Sequence, residues 1–83
     1  MKVNVLFFAR SREIAGVSET VLELKAGATS QDLLESLLRE YPLLKEITGS
    51  CVLALNQEYL AQDEAKALRD GDEVAVIPPI SGG

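Results

Sequence analysis

The sequence predicts an α+β roll, on three observations. Five short segments carry the period-two alternation and the Val, Ile, Leu and aromatic content of strands, one longer stretch carries a leucine stripe at helical spacing, and turn residues separate them. Their order is strand, strand, helix, strand, short strand, strand, so a single long helix is available to cover one face of a sheet.

The first segment, Lys2 to Phe8, is rich in Val, Leu and Phe. Alternation places Val3, Val5 and Phe7 on one face and Asn4, Leu6 and Phe8 on the other. Arg10 to Ala15 reads as a short helical turn stopped by Gly16, and Ser18 to Leu24 resumes strand character with Thr20, Leu22 and Leu24 sharing a face. Lys25-Ala26-Gly27 breaks that pattern. Thr29 with Asp32 three residues on is a near relative of a capping box, and Leu33, Leu34, Leu37, Leu38 and Tyr41 follow at helical spacing. Glu35, Ser36, Arg39 and Glu40 fall on the opposite, solvated side, and Pro42 ends the helix near Tyr41. Cys51 to Leu55 and Tyr59-Leu60 read as a hairpin about Asn56-Gln57-Glu58. The turn Asp70-Gly71-Asp72 launches a last strand, Glu73 to Ile77, with Val74 and Val76 on one face and Ala75 and Ile77 on the other. Pro78-Pro79 ends the pairing, because proline has no amide hydrogen to give a ladder. Leu6, Phe8 and Ile77 would then lie on a sheet face that no element covers, the signature of a partner surface.

Composition limits what such a domain can do. Eighty-three residues make one domain, burying about 60–65 % of the surface exposed when unfolded. With 47 % hydrophobic and 25 % charged residues the chain is in the globular range. It has one cysteine and no histidine, which removes internal disulfides, multi-cysteine metal sites and the commonest general base. A net charge of −5 argues against nucleic acid and for a partner with a basic surface. No apolar run reaches the length of a membrane span and no signal peptide is evident, so a soluble, cytoplasmic protein is expected.

The chain divides into a folded part, residues 1–77, and a tail, residues 78–83, with the sequence Pro-Pro-Ile-Ser-Gly-Gly. Prolines favour an extended, stiff segment, and glycines let a backbone enter a narrow channel. Two glycines in the last two positions arise by chance in roughly 0.5 % of chains at average glycine usage. A terminal carboxylate at Gly83 is a poor electrophile until a partner converts it to an acyl adenylate, from which a sulfur nucleophile can displace AMP. A glycine leaves that carbonyl unhindered. The thiocarboxylate so formed would be ionised and strongly nucleophilic.

Val5-Leu6-Phe7-Phe8-Ala9, Asp70-Gly71-Asp72-Glu73-Val74-Ala75 and the ending Pro78-Pro79-Ile80-Ser81-Gly82-Gly83 together resemble the small subunits of molybdopterin synthase, over essentially the whole chain. The resemblance implies a ubiquitin-like β-grasp fold, a mixed sheet of about five strands with one main helix on one face. It implies a sulfur carrier without catalytic side chains of its own, whose Gly83 is adenylated and thiocarboxylated while Gly82 fits the channel. It further implies an E1-like adenylyltransferase that consumes ATP, a sulfurtransferase system, and a large synthase subunit in a heterotetramer. There the terminal 1-thioglycine gives sulfur to a pterin precursor to build a dithiolene for molybdenum. No bound cofactor or metal is expected in the carrier itself.

For partner binding the candidates are Phe8, Tyr59, Ile77, Ile80 and Ser81, apolar or aromatic strand residues and the tail root being the usual kind of anchor. A buried core role is the alternative for Phe8 and Ile77. Arg10 and Arg12 read as solvated charges. Cys51, with no basic neighbour, reads as a buried inert thiol, and Asp70, Asp72 and Glu73 as a turn rather than a metal cluster. Two other functions use the same tail: a ubiquitin-like modifier conjugated through Gly83, and a thiamine-pathway sulfur carrier, which is typically shorter and lacks the diproline.

Overall fold

A computed structural model describes residues 1–79. Its strands are β1 (Lys2–Phe7), β2 (Glu19–Glu23), β3 (Val52–Leu55), β4 (Glu58–Tyr59) and β5 (Glu73–Ile77). The helices are α1 (Arg10–Ala15), α2 (Ser30–Glu40) and α3 (Lys45–Thr48). The five strands form one mixed sheet in the order β2-β1-β5-β3-β4. β1 and β5 run parallel at the centre, and the other pairings are antiparallel. This is the expected β-grasp arrangement.

Alternation sorts the strands into two faces as the sequence implies. Val3, Val5, Phe7, Val74 and Val76 are essentially inaccessible to solvent, and with Leu22, Leu33, Leu37, Leu44, Leu55 and Leu68 they form the core under α2. The α2 stripe is continued by Tyr41, whose ring meets that of Phe7 edge-on at 5.5 Å. The start of α2 is fixed by a complete capping box: the Thr29 hydroxyl accepts the Asp32 N–H, and the Asp32 carboxylate accepts the Thr29 N–H at 2.8 Å.

Three features depart from the expectation. The hairpin strands are shifted by about one residue, because the two-residue loop Asn56-Gln57 turns with φ of 48° and 72° and leaves Glu58 paired to Leu55. The run after Tyr41 does not become a plain loop. Pro42 opens a 3-10 turn, Pro42–Leu44, that drives Leu44 into the core, and α3 follows directly. Residues 61–69, without strand or helix pattern, are held by Ser30, whose hydroxyl donates to the Glu64 carbonyl and accepts the Lys66 N–H. Leu68 then reaches the core.

β5 is set against β1 at both ends. At its start the Asp70-Gly71-Asp72 turn, with Gly71 at φ 85°, hands its amide to the Lys2 carbonyl at 2.7 Å, and Asp70 accepts the Lys2 N–H at 2.8 Å. A glycine is favoured where φ is this positive. At its end the chain leaves the sheet after Ile77, with Pro78 buried and Pro79 exposed.

Candidate functional site

The face of the sheet opposite α2 carries the candidate site. Strand register aligns its side chains in rows, since directly opposed residues share a face. One row runs Tyr59, Ala54, Ala75, Leu6 across β4, β3, β5 and β1. The next runs Val52, Ile77 and, just beyond the end of β1, Phe8, whose N–H reaches the Val76 carbonyl at 3.3 Å. A third pairs Val21, Asn4 and Glu73.

Phe8 is 47 % exposed and Tyr59 75 % exposed, while Ile77 is half-buried. The core alternative for Phe8 is thereby set aside, and Ile77 stands at the rim between core and surface. All three belong to one apolar face. Val52, 40 % exposed, and Val21, 55 % exposed, extend it. Neither was singled out from sequence, although the alternation that placed Ile77 outward would have placed its cross-strand partner Val52 outward too. Ile80, Ser81, Gly82 and Gly83, the other candidates, lie outside the described residues.

The charges around this face are mostly acidic. Glu19 and Glu23 on β2 and Glu73 on β5 share its parity, against Lys2 on β1. Glu23 sits 3.8 Å from the N-terminal ammonium. Arg10 and Arg12 are exposed on α1.

A further residue, missed in the sequence, stands at the root of the tail. Ser11 is fully buried. Its hydroxyl lies 2.7 Å from the Phe8 carbonyl and 3.1 Å from the Val76 carbonyl, with one proton to serve either, and it accepts the Phe8 N–H at 3.0 Å. It reaches them because Ala9 turns the chain sharply at φ 52°, and Gly16 at φ 78° closes α1 with its amide on the Arg12 carbonyl. The only hint in the sequence is a small hydroxyl residue just after a strand, a common local pattern.

Cys51 is half-buried rather than fully buried. It packs against the core edge, and burial raises its thiol pKa, which keeps the sulfur protonated near neutral pH. It lines a cavity of about 310 Å³ with Leu34, Leu53, Leu60 and Gln62. Asp72 is occupied as a turn acceptor, taking the Arg69 N–H at 2.7 Å and the Asn56 side-chain amide at 3.1 Å. Among the described residues no cluster of His, Cys, Asp and Glu could hold a metal ion, and no helix is long and apolar enough to cross a membrane.

Comparison with known proteins adds to this geometry. A model of the ThiS family matches residues 5–83. The molybdopterin synthase sulfur carrier subunit of Chlamydomonas reinhardtii is 52 % identical over 83 residues, covering all of both chains. Small archaeal modifier protein 1 from Haloferax volcanii superposes with a TM-score of 0.88 at 28 % identity, again over all of both chains. A chain from the complex of subunits 1 and 2 of the molybdopterin-converting factor of Helicobacter pylori superposes with a TM-score of 0.68 at 28 % identity and full coverage of both.

Proposed function

The chain belongs to the ThiS family, and on that premise we propose that it is the sulfur carrier subunit of a molybdopterin synthase. One observation carries this reading: the 52 % identity, end to end, with a curated sulfur carrier subunit of that enzyme. The match includes Gly82 and Gly83, the residues whose chemistry the function needs.

In the proposed cycle the Gly83 carboxylate attacks the α-phosphorus of ATP on an E1-like adenylyltransferase and releases pyrophosphate. Hydrosulfide supplied by a sulfurtransferase system adds to the adenylated carbonyl, AMP departs, and loss of the sulfur-bound proton leaves the thiocarboxylate. The carrier then docks on the large synthase subunit through the open sheet face, with Phe8, Tyr59 and Ile77 as anchors and Ile80 and Ser81 leading Gly82 and Gly83 into that subunit's site. The thiocarboxylate sulfur attacks a carbon of the pterin precursor and displaces an oxygen leaving group from it, giving a thioester; water then cleaves the acyl–sulfur bond, which leaves the thiolate on the pterin and returns the Gly83 carboxylate. The Helicobacter complex of subunits 1 and 2 supports a two-subunit assembly. The carrier contributes a docking surface and a reactive terminus, and its partners contribute the catalytic groups.

Intact-mass measurement after incubation with the activating enzyme, ATP and a sulfur donor tests the reading. The expected result is a gain equal to the exchange of one oxygen for one sulfur, mapped to Gly83. A terminus that remains a plain carboxylate under conditions that thiocarboxylate a known carrier would overturn it.

A second reading is favoured by the superposition on an archaeal modifier protein. The same acyl adenylate would join Gly83 to lysine amines of other proteins, and tryptic peptides carrying residues 70–83, the fragment after Arg69, joined through Gly83 to a lysine would reveal it.

A further inference from the structure

We propose that Ser11 is a positioning residue: its buried hydroxyl fixes the direction in which the chain leaves β5, and that direction governs the rate at which the terminus is activated. The inference rests on the reading of residues 78–83 as the reacting arm.

The argument starts from what can hold the end of β5. Pro78 and Pro79 have no amide hydrogen, so past Ile77 the next two residues can donate no backbone hydrogen bond to the sheet. On the β1 side the last bond is the Phe8 N–H to the Val76 carbonyl, long at 3.3 Å. The Ser11 hydroxyl reinforces it at 3.1 Å, and among the described residues it makes the only side-chain hydrogen bond to residues 74–79. Its oxygen accepts the Phe8 N–H at 3.0 Å, and its one proton is shared between the Val76 carbonyl and the Phe8 carbonyl, the nearer at 2.7 Å. β3 holds the other side of β5, with Val52 opposite Ile77, and on the β1 side the Ser11 hydroxyl, with no access to solvent, ties the ends of β1 and β5 to the start of α1. Buried hydrogen bonds of this kind are strong and directional.

A small rotation at this root is magnified further on. A diproline is stiff, and Pro78 and Pro79 together carry the chain roughly 6–7 Å from the sheet. A tilt of about 10° at the root moves their far end by about 1 Å, and misplacement of that size can cost 100-fold in rate. Docking through the sheet face leaves the tilt uncorrected, because Phe8, Tyr59 and Ile77 lie on the domain side of the diproline.

The test uses the full chain with its activating enzyme, ATP and a sulfur donor. Ser11→Ala should lower kcat for adenylation about 10-fold or more while KM stays within about twofold, since no exposed side chain is removed. Val3→Ala, buried at the far end of β1, controls for lost stability and should leave kcat near wild type. If Ser11→Ala does not fold, Ser11→Cys, nearly isosteric but a weak donor, takes its place with the same expectation. Equal kcat losses in the Ser11 and Val3 variants, or none in Ser11→Ala, would overturn the proposal. Residual dipolar couplings supply a readout independent of chemistry: the Ile77 N–H vector should reorient in the Ser11 variant while vectors in α2 do not, and an unmoved Ile77 vector overturns the proposal. Failure of the wild type to be adenylated would count against the sulfur-carrier reading instead, and the dipolar couplings would then decide the role of Ser11 alone.

Discussion

At the scale of single residues, Tyr59 and Cys51 show opposite uses of partial burial. Tyr59, on the edge strand β4 and three-quarters exposed, adds little to the fold, so Tyr59→Ala is expected to shift stability by less than about 0.5 kcal/mol. As a well-exposed aromatic on the apolar sheet face it is the kind of residue whose loss costs an interface about 2 kcal/mol or more, roughly a 30-fold rise in Kd for the large subunit. Thermal denaturation paired with calorimetric titration separates the two; a stability loss without a change in Kd would remove Tyr59 from the interface. Cys51 tests burial through pH. Its folded-state pKa is raised by desolvation, so above the unfolded pKa the native state holds more proton than the unfolded one, and stability falls as pH rises. The decline should begin above about pH 8.5, the ordinary thiol pKa, and its Cys51 share should vanish in Cys51→Ala. Denaturant midpoints from pH 7 to 10 for both proteins measure that difference. Reaction with a neutral alkylating reagent at pH 7 should likewise be slower than for a free thiol.

Elements differ in how openly the sequence displays them. The α2 helix is legible because its cap, stripe and stop each leave a local mark: Thr29 with Asp32, the leucine spacing, and Pro42. Leu37 is fully buried in that stripe, and Leu37→Ala should cost about 2–5 kcal/mol in equilibrium unfolding. Thr29→Ala breaks the capping box and should cost about 1 kcal/mol, read from the same titrations. The strands are legible through alternation, which also sent Phe8 and Ile77 away from the core. Pro42–Thr48 and residues 61–69 are not, since their order comes from distant partners: Leu44 from the core it enters and Glu64 and Lys66 from the Ser30 hydroxyl. Ser11 escaped for the same reason. Its partners on Val76 lie 65 positions away, and no local spacing announces a contact of that range.

At the scale of the whole molecule, the proposed function separates from the fold at the end of β5 and leaves the charge of the domain to act on how partners approach. Removing Gly82 and Gly83 should abolish thiocarboxylation, read by intact mass, while thermal unfolding stays within about 1 °C of the full chain, because the described residues already form a continuous core. The chain carries 13 acidic against 8 basic residues, and Glu19, Glu23 and Glu73 lie on the open sheet face, proposed above for docking, with only Lys2 opposing them among the charged residues placed there by register. Apolar anchors give short-range affinity, whereas an acidic field acts before contact and raises the encounter rate with a basic partner. Salt should therefore act chiefly on association. Raising ionic strength from about 0.02 to 0.5 M shrinks the Debye length to a few ångströms, and kon for the large subunit is expected to fall about 10-fold while koff changes by less than about threefold. Stopped-flow measurement of both rates decides it. Glu19→Gln with Glu73→Gln should flatten the salt dependence of kon and spare koff; a salt effect confined to koff would place the charges inside the contact rather than around it.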